Sequence, residues 1–308
     1  MKNKWLRYFT ENHWYCLYRP AGEDTLPWQT DENRPWRRLK TGARYWCADP
    51  FLAEENGQVY VFGEMMDLKT SHGVLGVAPL NKDGDTLIRP VQDFQCHISY
   101  PNVFKYGGTW YMVPETCARK TIELYRAVSF PDRWEKVSVL AEKLHAVDTT
   151  VFRLNGRYYA FIYEPDGEHN TLSIAELDME KGCFGQVKKV KEYTGRIGRP
   201  AGEVFVSRGM YIRPTQYGIR TYGEKVIFKA FTFDPVSWAY EEHDVAEIGP
   251  ASFGKLDKRL RIQGCHTYNR VSGVEITDIK FNCFLPFKPL RSLLKKYHIG
   301  GYHFNEKN

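Results

Sequence analysis

Asp49-Pro50-Phe51-Leu52 runs through the turn Asn56-Gly57 into Val59-Tyr60-Val61-Phe62-Gly63-Glu64, and this stretch decides the fold because it recurs. Shifted by 51 residues it reads Tyr100-Pro101-Asn102-Val103-Phe104, then Gly107-Gly108, then Trp110-Tyr111-Met112-Val113-Pro114-Glu115. A further 48 residues bring Asp148-Thr149-Thr150-Val151-Phe152, Asn155-Gly156 and Tyr158-Tyr159-Ala160-Phe161. A weaker fourth copy is Ala201-Gly202-Glu203-Val204-Phe205, Gly209 and Tyr211-Ile212-Arg213-Pro214. A degenerate fifth runs from Gly264 through His266-Thr267-Tyr268-Asn269 to Gly273-Val274-Glu275-Ile276.

Each copy is strand, tight turn, strand, because Asn-Gly between alternating apolar runs supplies the left-handed backbone of a hairpin. A third strand-like run follows each of the first four: Gly73 to Leu80, Thr121 to Val128, Thr171 to Leu177 and Lys225 to Phe233. A fourth follows in turn, around Thr86 to Val91, Trp134 to Leu140, Phe184 to Val190 and Tyr240 to Ile248. Four strands in a period of about 50 residues make a propeller blade. The expected fold is all-β: one five-bladed β-propeller over 1–308, with four-stranded blades opening near 47, 98, 146, 199 and 264. A two-sheet sandwich with chance repetition would not give the gap-free match of the first two copies.

The fifth unit lacks strands that the N-terminus can supply. Trp14-Tyr15-Cys16-Leu17-Tyr18 and Trp36-Arg37-Arg38-Leu39 both read as strands, and such a closure removes open sheet edges. The tail, 286–308, is basic, with Arg291, Lys295 and Lys296. It reads as a short helix packed on the propeller; the other reading is a basic amphipathic segment that touches a membrane or a partner glycosyltransferase.

Composition bounds the function. Aromatics make up 15% of the chain, which favours strands, and no stretch is apolar enough to span a membrane. Met1 to Trp5 lacks the apolar core of a signal peptide, so a cytoplasmic protein is expected. Seven cysteines without a Cys-x-x-Cys pair read as free thiols. The net charge of +6 comes from scattered residues, which argues against nucleic acid and fits an acidic or phosphorylated ligand. Gly-x-Gly-x-x-Gly, P-loop, His-Glu-x-x-His and Gly-x-Ser-x-Gly motifs are absent. Dinucleotide, P-loop and serine-esterase chemistry lose support, and no cofactor is expected.

Equivalent positions on the innermost strands of a propeller face one another across the axis. The opening positions are Asp49, Tyr100, Asp148 and Ala201, and the second strands end at Glu64, Glu115, Tyr163 and Gln216. Facing carboxylates are what glycosidic chemistry requires, one as base or nucleophile and one as acid. Either aspartate alone would read as a turn cap; both at one repeat position read as a site. His97, Arg199, His266 and Asn269 fall at the same end of the blades, as do His145 and Arg196. Guanidiniums there suit phosphate or carboxylate. Tyr45, Trp46, Tyr100 and Trp110 offer faces for sugar stacking. His97 and His266 lack metal-ligand spacing with Asp49, and no metal site is expected.

Ala48-Asp49-Pro50-Phe51-Leu52 resembles the first-blade motif of the arabinanase and β-xylosidase hydrolases, and of the related invertases. The resemblance implies a base or nucleophile at Asp49, and at Asp148 a carboxylate that tunes the acid and holds the sugar. A closer resemblance covers most of the chain. Ser99-Tyr100-Pro101, Val113-Pro114-Glu115-Thr116, Thr121 to Ala127, Ala146 to Thr150, Arg199-Pro200-Ala201-Gly202 and His266 to Asn269 are similar to the N-terminal domain of the glucosamine inositolphosphorylceramide transferase family. It implies a role in surface-polysaccharide or glycolipid assembly.

The sequence departs from the hydrolases where their acid glutamate opens the fourth blade: Ala201 stands there, two residues after Arg199. The expected function is therefore glycosyl transfer in preference to hydrolysis. Asp49 would be base or nucleophile, Glu115 acid, and Asp148 orienting carboxylate. Glu64, His97, Tyr100, Arg199, Gln216, His266 and Asn269 would contact a carbohydrate or nucleotide-sugar ligand. The alternatives are a non-catalytic glycan-binding or partner-docking propeller, and a hydrolase of the arabinanase type.

Overall fold

The computed structural model describes residues 6–22, 34–81, 84–254, 256 and 261–297. They form five antiparallel sheets. Blade 1 is built from Tyr45–Glu55, Gln58–Asp67, His72–Pro79 and Arg89–Gln92. Blade 2 is built from Ser99–Tyr106, Thr109–Thr116, Thr121–Ser129 and Arg133–Glu142, and blade 3 from Val147–Leu154, Arg157–Glu164, His169–Asp178 and Cys183–Thr194. Blade 4 has a broken inner strand, Ile197–Pro200 and Phe205–Ser207, followed by Met210–Tyr217, Lys225–Phe233 and Tyr240–Ile248.

Blade 5 joins the two ends of the chain. Ile262–Gly264 and Tyr268–Val271 pair with Val274–Phe284, which pairs with Thr10–Pro20 along its whole length, from Thr10 opposite Phe284 to Pro20 opposite Val274. Of the N-terminal runs, the first forms its strand in full, whereas the second shrinks to Arg37–Arg38, after which Leu39 donates its N–H to the Cys16 carbonyl. Two helices, α1 (Leu6–Phe9) and α2 (Lys288–Lys296), flank this closure. The helical reading of the tail thus holds for α2, while 298–308 lies outside the described residues.

Five apolar clusters fill the wedges between neighbouring blades. Phe51, Phe62, Tyr100, Met112 and Trp134 pack blade 1 on blade 2, and Phe152, Tyr159, Phe161, Tyr193 and Phe231 pack blade 3 on blade 4. Both faces of each sheet are covered, so the second strands are buried almost throughout. This is why they read as near-continuous apolar runs rather than as alternation. Cys16 and Cys47, on blades 5 and 1, meet with their sulfurs 3.3 Å apart in another wedge.

The repeated opening position has a backbone cause. Pairing slips between Ala48 and Phe51, between Ser99 and Asn102, and between Val147 and Thr150. At each slip the residue takes a left-handed conformation: Asp49 at φ 48°, Tyr100 at 46° and Asp148 at 51°. Side chains other than glycine adopt such angles at a cost of roughly 1–3 kcal/mol each, and they collect at functional sites. A bulge bends the strand and re-aims one residue, here toward the axis.

In blade 4 the corresponding slip lies between Ile197 and Pro200, and Gly198 at φ 81° takes the left-handed position, so the register puts Gly198, and not Ala201, at the fourth opening. Four residues on, Gly202 sits at φ 138°, where an added Cβ would stand 1.9 Å from the Tyr268 carbonyl oxygen. Gly202→Ala must therefore part blades 4 and 5. We expect a loss of about 3 kcal/mol or more in urea unfolding, against less than about 1 kcal/mol for Gly209→Asn in the exposed hairpin turn. Equal losses would show that the blade contact is loose.

Candidate active site

The bulges at the opening positions turn backbone N–H groups toward carboxylates on neighbouring blades. Asp49 N–H donates to Asp278 Oδ2 at 3.1 Å, Tyr100 N–H to Asp49 Oδ2 at 3.3 Å, and Asp148 N–H to Glu115 Oε2 at 3.1 Å. These bonds join blade 5 to 1, 1 to 2, and 2 to 3 around the axis.

Asp148 is the most enclosed member of the group on the blade 3 and blade 4 side. Arg199 grips it with two nitrogens: Nε meets Oδ2, and Nη2 lies 2.9 Å from Oδ1. The same Nη2 reaches Glu115 Oε2 at 3.2 Å, and Gln216 donates to Asp148 Oδ2 at 2.7 Å. Burial pushes the Asp148 carboxyl up to about 7 despite Arg199, with Glu115 adding to the rise. Glu115 is the more accessible carboxylate, its side chain 15% exposed against 1% for Asp148.

Asp49 lies on the blade 5 side. Thr267 Oγ1 donates to its Oδ1 at 2.7 Å, and His266 Nε2 is 3.5 Å from the same oxygen. His266 Nδ1 is 2.6 Å from Asp278 Oδ2, an ion-pair contact toward which the ring N–H is not aligned. Asp278 also accepts the N–H groups of His266 and Thr267 at 2.8 and 3.1 Å. Burial raises the Asp49 pKa; His266 opposes the rise and Asp148 reinforces it. Burial alone would lower His266, but Asp278 and Asp49 outweigh it and push it up to about 9. Trp14 stacks on the His266 ring at 3.9 Å, and Tyr222 meets it edge-on at 5.2 Å.

Asp49, His266 and Asp278 are also a group whose ligand atoms lie close enough to hold one metal ion. The sequence did not predict it, because Asp278 comes from the degenerate fifth repeat. A protonated His266 already supplies positive charge between the two aspartates, so a cation would have to displace that proton.

The remaining candidates divide. Glu64 Oε1 holds His97 Nε2 at 3.1 Å, and His97 Nδ1 accepts the Gly73 N–H. Burial lowers the His97 pKa, and Glu64 more than restores it. Arg196, Arg199 and Gln216 line a hollow of about 160 Å³ with Tyr163, Asn170 and Tyr222.

Tyr100 and Asn269, both expected against the ligand, have their polar atoms bonded within the fold. Tyr100 is fully buried and crosses the axis, its hydroxyl shared by Thr150 Oγ1 at 2.8 Å and Gly202 N–H at 2.6 Å. Asn269 spends its amide on the Pro50 carbonyl and the Glu203 N–H. Both tie blades together because a buried polar group must find partners. Trp110 lies at the opposite, hairpin end, bonded to Glu55. Trp14 and Tyr222 are aromatic faces near the site that carry no repeat signal. Glu203 is raised to about 8 by burial alone, without contribution from the axial charges.

This architecture is a five-bladed β-propeller with carboxylates clustered at one end of its axis. Among solved structures the chain is similar to a thermostable family-43 glycoside hydrolase, at 13% identity and TM-score 0.58, covering 78% of this chain and 90% of that one. It is also similar to a β-xylosidase/α-arabinofuranosidase from a compost microbial metagenome (13% identity, TM-score 0.52, 82% and 86%) and to a Coprinopsis cinerea α-L-arabinofuranosidase catalytic domain (13%, 0.53, 87% and 97%). Those likenesses establish the fold. Residues 40–250 match the family described as glucosamine inositolphosphorylceramide transferase 1, N-terminal, and the chain belongs to that family. Glucosamine inositolphosphorylceramide transferase 1 of Oryza sativa subsp. indica is 32% identical over 189 residues, 58% of this chain and 25% of that protein. The Arabidopsis thaliana protein is 31% identical over 188 residues, 58% and 24%. The matched part of the chain thus spans about a quarter of the length of these relatives.

His266 yields a stability prediction. Its folded pKa, about 9, lies above its ordinary 6.5, so its charge adds stability that is complete below about pH 6.5 and is lost as pH rises through 9. The melting temperature should fall across that window in the wild type and much less in His266→Gln. Parallel curves would remove the charged imidazole from the site.

Proposed function

We propose that the chain breaks a glycosidic bond in its axial pocket. The observation that carries this reading is the convergence of Asp49, Asp148 and Glu115 from three blades, with Asp49 and Asp148 raised toward neutrality. Asp49 acts as general base: it takes a proton from water as the water oxygen bonds to the anomeric carbon. The bond from that carbon to the leaving oxygen breaks, and the leaving oxygen takes a proton from Glu115, the carboxyl nearer solvent. Asp148, clamped by Arg199 and Gln216, orients the sugar.

Hydrolysis gains on transfer for an electrostatic reason. Arg199 was expected to meet phosphate or carboxylate of a ligand, yet it is committed to Asp148 and Glu115. A phosphate would have to compete with two carboxylates already in place. The setting is proposed as the cytoplasm on cysteine usage, and glycolipid assembly on the names of the relatives.

A second reading has its own observation. Gly198 leaves the fourth-blade opening without a carboxylate, as in a propeller that binds a glycan for a separate transferase. Asp49→Asn separates the two. On the first reading turnover of an oligosaccharide falls by about a hundredfold or more while binding persists. Unchanged turnover would remove Asp49 from the mechanism. A wild type that binds without turning over any offered glycan would favour the second reading.

A further inference from the structure

The exposed large apolar side chains include a cluster at one place, α2 and the strand end that leads into it. Phe284 is 60% exposed, Phe287 75%, Leu290 54%, Leu293 52% and Tyr297 59%. Steps of three and four residues put Phe287, Leu290, Leu293, Leu294 and Tyr297 on one side of a helix. Lys288 and Arg291 lie on the other. A helix resting on a globular protein normally buries its apolar stripe. Here the arrangement is reversed. Lys288 Nζ donates to the Thr10 carbonyl and Arg291 pairs with Glu11, so the polar side is tied to the propeller and the apolar side faces outward.

The helix stands at the pocket's end of the molecule. The hairpin turns at Asn56-Gly57, Asn155-Gly156 and Ser272-Gly273 lie at the opposite end. Val274–Phe284 starts there, at Val274, and runs toward the site. On its way Lys280 Nζ reaches Thr221 Oγ1 at 3.1 Å and the Tyr222 carbonyl, beside the pocket wall. The apolar cluster begins four residues later, at Phe284.

We propose that this face docks the protein on an anionic membrane surface. The helix sequence Lys288-Pro289-Leu290-Arg291-Ser292-Leu293-Leu294-Lys295-Lys296 holds four basic residues and no acidic one. An apolar stripe with phenylalanine and tyrosine, bordered by lysine and arginine, suits the boundary between headgroups and acyl chains. The cores of protein interfaces are by contrast depleted in lysine. Docking here brings the pocket's end of the molecule to the bilayer. If the glycan reading of the pocket holds, its substrate is then a lipid-linked or membrane-proximal glycan; the docking itself does not depend on that reading.

The test is co-sedimentation of the full chain with vesicles of phosphatidylcholine alone, or of phosphatidylcholine with phosphatidylglycerol. Binding is expected to the second and to weaken with added salt. Replacing Phe287, Leu290 and Leu293 together by serine should reduce it roughly tenfold or more. Lys295→Glu with Lys296→Glu, which leaves the apolar stripe intact, should reduce binding to the anionic vesicles too and guards against a serine variant that fails to fold. Absence of vesicle binding overturns the proposal, as does binding that both variants retain. So does wild-type self-association that the serine variant abolishes without vesicle binding, which would assign the stripe to a second copy. None of these readouts involves a sugar, so failure here leaves the pocket's chemistry standing.

Discussion

The left-handed bulge at the start of the innermost strand is the constraint on which the site depends. A regular strand would point alternate side chains into the two wedges and leave the axis to chance. At Asp49, Tyr100 and Asp148 the bulge turns one N–H inward and hands it to a carboxylate on another blade. The strained backbone and the axial carboxylates thus hold each other in place. Conformational cost at three positions is offset by hydrogen bonds to charged groups, which are among the stronger ones available.

Electrostatics then sets what the pocket can do. Asp49, Glu64, Glu115, Asp148 and Asp278 crowd one end of the axis, against His97, Arg199 and His266. Burial disfavours every charge, and like charges add to the penalty for the acids. The cations are therefore drawn into fixed pairs: Arg199 with Asp148 and Glu115, His266 with Asp278 and Asp49, His97 with Glu64. Burial then holds the Asp49 and Asp148 carboxyls up at about 7. Carboxyls held there suit proton transfer.

Much of this was legible in the sequence, for reasons specific to particular residues. The hairpin signals and the period gave the blades, because Asn-Gly turns are local chemistry. Asp49 and Asp148 stood out because a repeat exposes the position that breaks pattern. Tyr100 occupies the same backbone geometry yet serves as a cross-axis strut; periodicity reports where a residue sits, and the size of its neighbours decides what it touches. Asn269 likewise bonds through its amide to Pro50 and Glu203. Asp278 and Thr267 were missed because the fifth repeat is degenerate. The signal available for Asp278 was a lone acid inside the apolar run Ile276-Thr277-Asp278-Ile279. Trp14 and Tyr222 lie outside the repeat, and only the closing strand and the fold bring them to His266.

The central claim is that carboxylates from three blades converge on one glycosyl ligand. A crystal structure of Asp49→Asn with a bound oligosaccharide tests it most directly. The account predicts one sugar ring held between residue 49 and the Asp148–Arg199 pair, with Glu115 against the glycosidic oxygen. A sugar bound elsewhere on the blades, or one that leaves Asp148 and Glu115 without contact, would contradict it.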